Sequence, residues 1–186
     1  MTNLNLDDYF KEYKECLIPE NLFSDLSKAK DIIESANREN GKIIFAGNGA
    51  SSSISSHAAL DFTKQANIKA TSYHDPALIT AFVNDYGYDN WLREVFVKYT
   101  QKNDIGILIS VSGESRNIIN AAKFLKENGN KVISFSGKSI NNELRSISDL
   151  SFWVDSQSYN IVEGIHMIWV TTIIDMIIGK SVYSVS

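Results

Sequence analysis

Two carboxylates and two histidines stand in pairs at helical spacing. His57 precedes Asp61 by four residues, and Glu163 precedes His166 by three. Side chains at either spacing lie on the same face of a helix. Because a carboxylate beside an imidazole can exchange protons or bind a metal ion, the two pairs predict an acid–base site or a metal site. The alternative interpretation is that both histidines are partly buried and hydrogen-bonded for structural reasons.

A serine-rich loop gives the strongest indication of a bound ligand. Its sequence, SVSGES at residues 110–115, follows an apolar run and precedes a helical pattern. The N-terminus of a helix presents free backbone N–H groups and the positive end of the helix dipole. Three hydroxyl groups and a glycine in that position predict a neutral cradle for phosphate. The alternative interpretation is an ordinary serine N-cap.

A second loop of this kind has the sequence GNGAS at residues 47–51. It is not a dinucleotide-binding fingerprint, because Ser52 stands where the third glycine is needed, and it lacks the lysine of a P-loop. Its glycines permit close backbone approach or positive φ, and Asn48 offers an amide to a sugar hydroxyl. A tight turn is the alternative interpretation. Two such loops on one sheet predict a phosphorylated sugar as the ligand and no nucleotide cofactor.

Short apolar runs that precede these loops predict the strands that position them. The runs are continuous rather than alternating, which is typical of strands covered on both faces. Predicted strands lie at 42–46, 68–72, 105–109, 131–135 and 150–154, and predicted helices lie at 51–65, 77–85, 90–100, 115–128 and 160–178. This alternation predicts an α/β fold, a three-layer α/β/α sandwich with a five-stranded parallel sheet. Ligands of such sheets bind beyond the carboxyl ends of the strands, where the two loops fall.

The chain length predicts a single domain over residues 1–186, because 186 residues are typical of one domain. We expect leading N-terminal helices within residues 1–40, at 6–17 and 20–38, and an α/β core over 41–186. Proline at position 19 suits the boundary between the two leading helices.

Composition and charge exclude several classes of protein. The formal net charge is −4, with 18 basic and 22 acidic residues, which argues against general nucleic-acid binding. The single cysteine, Cys16, allows no intrachain disulfide and fits a reducing compartment. The polar, acidic N-terminal segment does not resemble a signal peptide, and polar residues interrupt the most apolar stretch, 165–178. We therefore expect a cytoplasmic protein with no membrane segment.

Four segments of the sequence resemble the sugar isomerase (SIS) domain, in particular that of the phosphoheptose isomerases. They are GNGASSSISSHAALDF at 47–62, NDYGY at 84–88, SVSGESRN at 110–117 and EGIH at 163–166. The resemblance covers nearly the whole chain. It implies the SIS fold, isomerisation between an aldose and a ketose, sedoheptulose 7-phosphate as the ketose, and an enediol intermediate. It also implies a homotetramer with active sites between subunits, often with zinc.

The resemblance also assigns roles to individual residues. The residues that it places at the phosphate and the sugar are Asn48, Gly49, Ser51, Asp85, Ser110, Val111, Ser112 and Ser115. Asp61 would be the catalytic base, His57 a helper or ligand, and Glu163 a second acid–base group or ligand. The zinc set would be His57, Asp61 and Glu163.

Three positions depart from the pattern of the family. Asp61 stands in place of a glutamate and is one methylene shorter, Glu163 replaces a glutamine, and Thr171 replaces a histidine. A shift of about 1 Å in a catalytic group can cost on the order of a hundredfold in rate. Two alternatives therefore stay open beside the isomerase. One is a non-catalytic sugar-phosphate-binding module or scaffold, and the other is an isomerase or epimerase for another phosphosugar in surface-polysaccharide synthesis.

Overall fold

Two helices lead the chain into a parallel sheet. The computed structural model describes residues 4–182, and the outermost residues of the predicted domain, 1–3 and 183–186, lie outside that range. Helix α1 (Leu6–Leu17) is capped by Asn5, whose side chain accepts a hydrogen bond from the Asp7 N–H. Helix α2 (Leu22–Arg38) follows Pro19. Both leading helices are confirmed.

Five strands form one sheet in which every pairing is parallel. They are β1 (Ile43–Gly47), β2 (Ala70–Ser72), β3 (Ile105–Ser110), β4 (Lys131–Ser136) and β5 (Leu150–Trp153). Their order across the sheet is β2-β1-β3-β4-β5. Strands β1 and β3 are buried throughout, as continuous apolar runs predict for central strands. The carboxyl ends of β1 and β3 lead into the two loops singled out above.

Helices cover both faces of the sheet. They are α3 (Ala50–Lys64), α4 (Pro76–Tyr86), α5 (Trp91–Tyr99), α6 (Arg116–Glu127), α7 (Glu143–Ile147) and α8 (Tyr159–Ile178). Neighbouring residues of β1 point to opposite faces, so that Phe45 packs in the core beneath α2, α3 and α8, whereas Ile44 packs in the core beneath α5 and α6. Each fully buried side chain of this kind contributes about 1.5–3 kcal/mol. The predicted three-layer sandwich is confirmed.

Helix α8 is apolar on nearly all sides. By length and composition it is, among residues 4–182, the one helix that passes the test for a membrane span, a test that the core helix of a soluble protein also passes. One side of α8 is buried, with Ile165 and Trp169 in the core below the sheet. On the other side Ile168 is 42% exposed. Glu163 and Thr171 lie toward this less buried side of α8.

Candidate functional site

The serine-rich loop is held in shape by its own hydroxyls and carbonyls. Ser110 ends β3 and its Oγ donates to the Oγ of Ser115 at 3.2 Å. The Gly113 N–H donates to the Ser110 carbonyl at 2.9 Å. Ser115 occupies the N-cap position of α6, but its side chain makes no capping hydrogen bond. The Ser115 hydroxyl therefore makes no hydrogen bond to the N-terminus of α6, which argues against the simple N-cap interpretation.

Gly113 is required by the backbone of this loop. Its φ is +67°, a conformation that L side chains rarely adopt. A Cβ on Gly113 would also lie 2.0 Å from Oδ1 of Asn142, at the start of α7. The Gly113 carbonyl in turn accepts from the Leu144 N–H at 3.0 Å. The loop therefore packs closely against α7, and these backbone contacts hold its shape.

The glycine loop after β1 is the second wall of the site. Gly49 has φ +56° and stands at the N-cap position of α3, again without a side-chain cap. Ser51 is buried, and its N–H donates to the Asn48 carbonyl at 3.0 Å. Asn48 contacts the helix that follows the serine-rich loop, because its side-chain amide pairs with that of Asn117 in the first turn of α6. The N-termini of α3 and α6 therefore lie side by side at the carboxyl edge of the sheet.

A pocket of about 310 Å³ lies between the two loops. Its walls are Asn48, Gly49, Ala50, Ser51, Ile109, Ser110, Val111, Ser112, Ser115, Tyr159 and Glu163. Seven of the predicted phosphate and sugar residues are in this set, together with the predicted carboxylate of α8. Two other cavities of 290 and 280 Å³ lie elsewhere, so position and chemistry, not volume, distinguish this one.

Glu163 is the one ionisable acid on the wall of this pocket. Burial raises the pKa of its carboxyl above the ordinary value. Tyr159 lies one helical turn before it, on the same face of α8. The pocket thus combines serine hydroxyls and helix N-termini with a carboxyl group that holds its proton more readily than an exposed glutamate.

His57 and Asp61 form the pair that their spacing predicts. His57 Nε2 lies 3.2 Å from Asp61 Oδ2, and Gln65 Nε2 donates to Asp61 Oδ1 at 2.9 Å. The His57 side chain is 49% exposed and that of Asp61 14%. Neither residue is on the wall of the pocket that contains Glu163. Within one chain the His57–Asp61 pair therefore lies outside the pocket.

The predicted zinc set does not come together within one chain. Within the part of the chain that the structure describes, no group of three His, Cys, Asp or Glu side chains is arranged to hold a metal ion. His57 and Asp61 supply two neighbouring donors, one short of a three-ligand catalytic zinc site. The described residues of a single chain therefore do not form a zinc site.

Three further side chains have local roles in the structure. Thr171 donates its hydroxyl to the carbonyls of Met167 and Ile168, at 2.9 and 3.0 Å, within its own helix. Asp85 lies near the end of α4, is exposed, and accepts from the side chain of Asn84. His166 is fully buried, with Nε2 3.0 Å from the Ser136 carbonyl, as the structural interpretation of that histidine predicts.

Sequence reasoning gave no role to two residues that the structure places at the site. Asn117 pairs with Asn48. Its position at the end of the SVSGESRN segment could have indicated a role at the site. Tyr159 lines the pocket. Its spacing of four residues from Glu163 could have indicated that the two side chains share one face of the helix.

Comparison with known proteins agrees with this geometry. A model of the SIS domain family matches residues 8–137. The phosphoheptose isomerase of Cytophaga hutchinsonii is 33% identical over 162 residues, which cover 82% of each chain. That of Thermodesulfovibrio yellowstonii is 34% identical, over 83% of this chain and 79% of the relative. A solved phosphoheptose isomerase from Francisella tularensis superposes with a TM-score of 0.87 at 26% identity, over 97% of this chain and all of that one (100%).

The fold and the two loops define an α/β protein in which two helix N-termini lie beyond the carboxyl ends of the strands, the place where such sheets commonly bind ligands. The family match covers well over half of the chain, and relatives above 30% identity match along most of their length. The chain belongs to the SIS domain family, among relatives that are phosphoheptose isomerases. The resemblance read from the four sequence segments is thereby confirmed.

Proposed function

We propose that this protein is a sugar-phosphate isomerase that interconverts an aldose and a ketose through an enediol, acting on sedoheptulose 7-phosphate or a related phosphosugar. The observation that carries the proposal is the pocket, because it joins both loops to a single carboxyl group. Phosphate held at the helix N-termini leaves the sugar hydroxyls to face Glu163. The relatives at 33% and 34% identity bear the name phosphoheptose isomerase, which supports the same reaction class.

Proton transfers at carbon and at oxygen are the two tasks of the proposed mechanism. One base removes the proton from the carbon beside the carbonyl and returns it to the former carbonyl carbon. A second group protonates the carbonyl oxygen to form the enediol and then removes the proton from the adjacent hydroxyl. We assign the first task to Asp61, which His57 and Gln65 orient through contacts of 3.2 and 2.9 Å. Glu163 takes the second task, because the raised pKa of its carboxyl brings it closer to neutral pH, where proton exchange is most effective.

The proposal includes an assembly, because Asp61 does not reach the pocket of its own chain. We place His57 and Asp61 at the pocket of a second copy, in a homotetramer with shared active sites. Several apolar side chains support an interface on these helices. Helix α1 has no buried residue, and Phe10, Leu60 and Ile168 are 56%, 57% and 42% exposed. Ile168→Asp should then lower the mass measured by light scattering, with Ile140→Asp, at an exposed site away from these helices, as the control.

We propose zinc binding only for the assembled protein, because a single chain does not bring the three ligands together. If two copies bring the His57–Asp61 pair and Glu163 together, the three side chains would hold a zinc ion that polarises the sugar oxygens. The test is the zinc content of dialysed protein, measured by mass spectrometry for the wild type and for His57→Gln. Location in the cytoplasm is also proposed, from the free Cys16 and the packed state of α8.

The reaction itself is tested with sedoheptulose 7-phosphate, by following aldose formation with and without added zinc. Turnover that is lost in Asp61→Asn combined with Glu163→Gln, while phosphate binding persists, supports the isomerase. Binding without turnover in either condition rejects catalysis on this sugar. A panel of other ketose and aldose phosphates then tests the related-phosphosugar alternative.

A non-catalytic binding module is the second candidate, and Thr171 favours it. Its hydroxyl is spent on the carbonyls of its own helix, so it offers no acid–base group. A binding module predicts that the double variant Asp61→Asn with Glu163→Gln changes phosphosugar affinity little and that no turnover exists to lose. The same experiment therefore separates the two candidates.

A further inference from the structure

Lys138 occupies an unusual position just beyond the carboxyl end of β4. Its φ is +54°, a left-handed conformation that costs a side-chain-bearing residue free energy and that concentrates at functional sites. Its N–H donates to the Ser156 carbonyl at 3.0 Å, which ties this turn to the segment before α8. The backbone therefore holds the lysine at the same edge of the sheet as the pocket, because β4 pairs with β3 up to Ser136 beside Ser110.

The side chain of Lys138 lies against the wall of the pocket. Its Nζ is 3.8 Å from the centre of the Tyr159 ring, a cation–π distance. Tyr159 lines the pocket, one turn before Glu163 on α8. The ring thus seats a positive charge at the rim of the pocket, and the flexible stem of lysine lets the charge move by several ångströms.

Without Lys138, no positively charged side chain at the pocket would offset the charge of a bound phosphate. The pocket wall carries the carboxyl of Glu163 and no lysine or arginine. A phosphate monoester brings a charge of roughly −1.5 to −2 at neutral pH. Arg116, which follows Ser115 directly, lies 3.7 Å from Glu143 and is not part of the pocket wall. Lys138 has no carboxylate within 4.0 Å among residues 4–182, so its charge is not already neutralised.

We infer that Lys138 is a substrate-binding residue, which moves from the Tyr159 ring to the phosphorylated sugar and offsets the charge of phosphate beside Glu163. This inference rests on the proposed function, since it presumes that the pocket binds a phosphorylated ligand. It goes beyond it by adding a cation to a site otherwise built of hydroxyls and N–H groups. It also predicts selectivity for an anionic sugar over its neutral counterpart.

Binding of inorganic phosphate and of sedoheptulose 7-phosphate, measured by titration calorimetry at two salt concentrations, tests the inference. Lys138→Met keeps an apolar stem on the ring and removes the charge, so we expect affinity to fall about tenfold or more and to become less dependent on salt. Lys138→Arg should retain most of the affinity. Lys138→Gly suits the positive φ and guards against a folding defect in the methionine variant.

The matched control is Lys102→Met, an exposed lysine on the wall of a different cavity. It should leave phosphate affinity unchanged. Wild-type protein that binds neither probe contradicts the proposed function itself. Wild-type binding that Lys138→Met and Lys138→Gly leave within twofold overturns the role of Lys138 alone. Equal losses in the Lys102 and Lys138 variants would also overturn it, because they would report net charge rather than a site.

Discussion

Asn48 and Asn117 hold each other through a reciprocal pair of side-chain hydrogen bonds. Asn117 Nδ2 donates to Asn48 Oδ1 at 2.9 Å, and Asn48 Nδ2 donates to Asn117 Oδ1 at 3.0 Å. Asn117 is 1% exposed and Asn48 is partly buried, and the pair joins the glycine loop to the start of α6. Each amide keeps one further N–H and lone pair, and contact between Asn48 and a sugar hydroxyl stays a prediction. The pair fixes the spacing of the two loops.

Replacing Asn117 with aspartate should break this spacing. A carboxylate only accepts hydrogen bonds, so it would face Asn48 Oδ1 without a donor, at a cost of about 1–3 kcal/mol in the free energy of unfolding. We also expect phosphosugar affinity to fall about tenfold, because residues of both loops line the proposed binding pocket. Denaturant unfolding and calorimetry measure the two effects. Asn141→Asp, an exposed change of the same charge, is the control, and equal effects in both variants would contradict the prediction.

The sequence predicts the fold better than it predicts the site. Buried parallel strands need continuous apolar runs, so residues 105–109 predict β3 to within one residue. Helix α7 spans only five residues, too few for a helical period to show, and it was missed. The His57–Asp61 pair follows from helix geometry alone. The Asn48–Asn117 pair joins residues 69 positions apart, and only the packing of two strands brings them together.

Ser115→Ala should separate ligand binding from helix capping. A capping serine replaced by alanine costs typically about 1 kcal/mol in stability, but the Ser115 side chain makes no capping bond. The substitution removes only the acceptor of the 3.2 Å hydrogen bond from Ser110 Oγ, and that hydroxyl can rotate to another partner, so we expect the free energy of unfolding to fall by about 0.5 kcal/mol. Phosphate affinity should instead fall about tenfold.

Ser146→Ala is the control for Ser115. Its hydroxyl is exposed and donates to the Glu143 carbonyl in α7, away from the pocket. Phosphate affinity should not change in this variant. A large loss of stability in Ser115→Ala with unchanged phosphate affinity would favour the capping interpretation.

Glu163→Gln should have opposite effects on turnover and on phosphate binding. Loss of a positioned acid–base group lowers kcat by about 10²–10⁴-fold if Glu163 carries the proton transfer at the sugar oxygens. Because glutamine stands at this position in the family, unchanged kcat in Glu163→Gln would assign that transfer to another group. Removal of a carboxylate beside a dianion should raise the affinity for inorganic phosphate, by severalfold at low salt. Assays of sugar conversion measure turnover, and calorimetry measures the affinity for inorganic phosphate. Glu127→Gln, exposed at the end of α6, is the control, and phosphate affinity that falls in Glu163→Gln would contradict this charge argument.

His166 should make the protein less stable in mild acid. Its ring is fully buried, Nε2 contacts the Ser136 carbonyl at 3.0 Å, and burial lowers its pKa from 6.5 to about 4. Below pH 6.5 the His166 ring therefore binds a proton in the unfolded chain but stays neutral in the native protein until the pH approaches 4. The stability associated with the neutral ring is complete above pH 6.5 and is lost as the pH falls toward 4. The size of this loss is about 3 kcal/mol.

The measurement for His166 is denaturant unfolding between pH 7.5 and 4.5, for the wild type and for His166→Gln. The glutamine amide can still donate to the Ser136 carbonyl, but it does not titrate. We expect the variant to be less stable than the wild type at pH 7.5 because the ring packing against Phe135 and Trp169 is lost. Its stability should then fall less steeply with acid, so the two curves converge near pH 4.5. Parallel curves would mean that the buried ring takes up its proton in the native state.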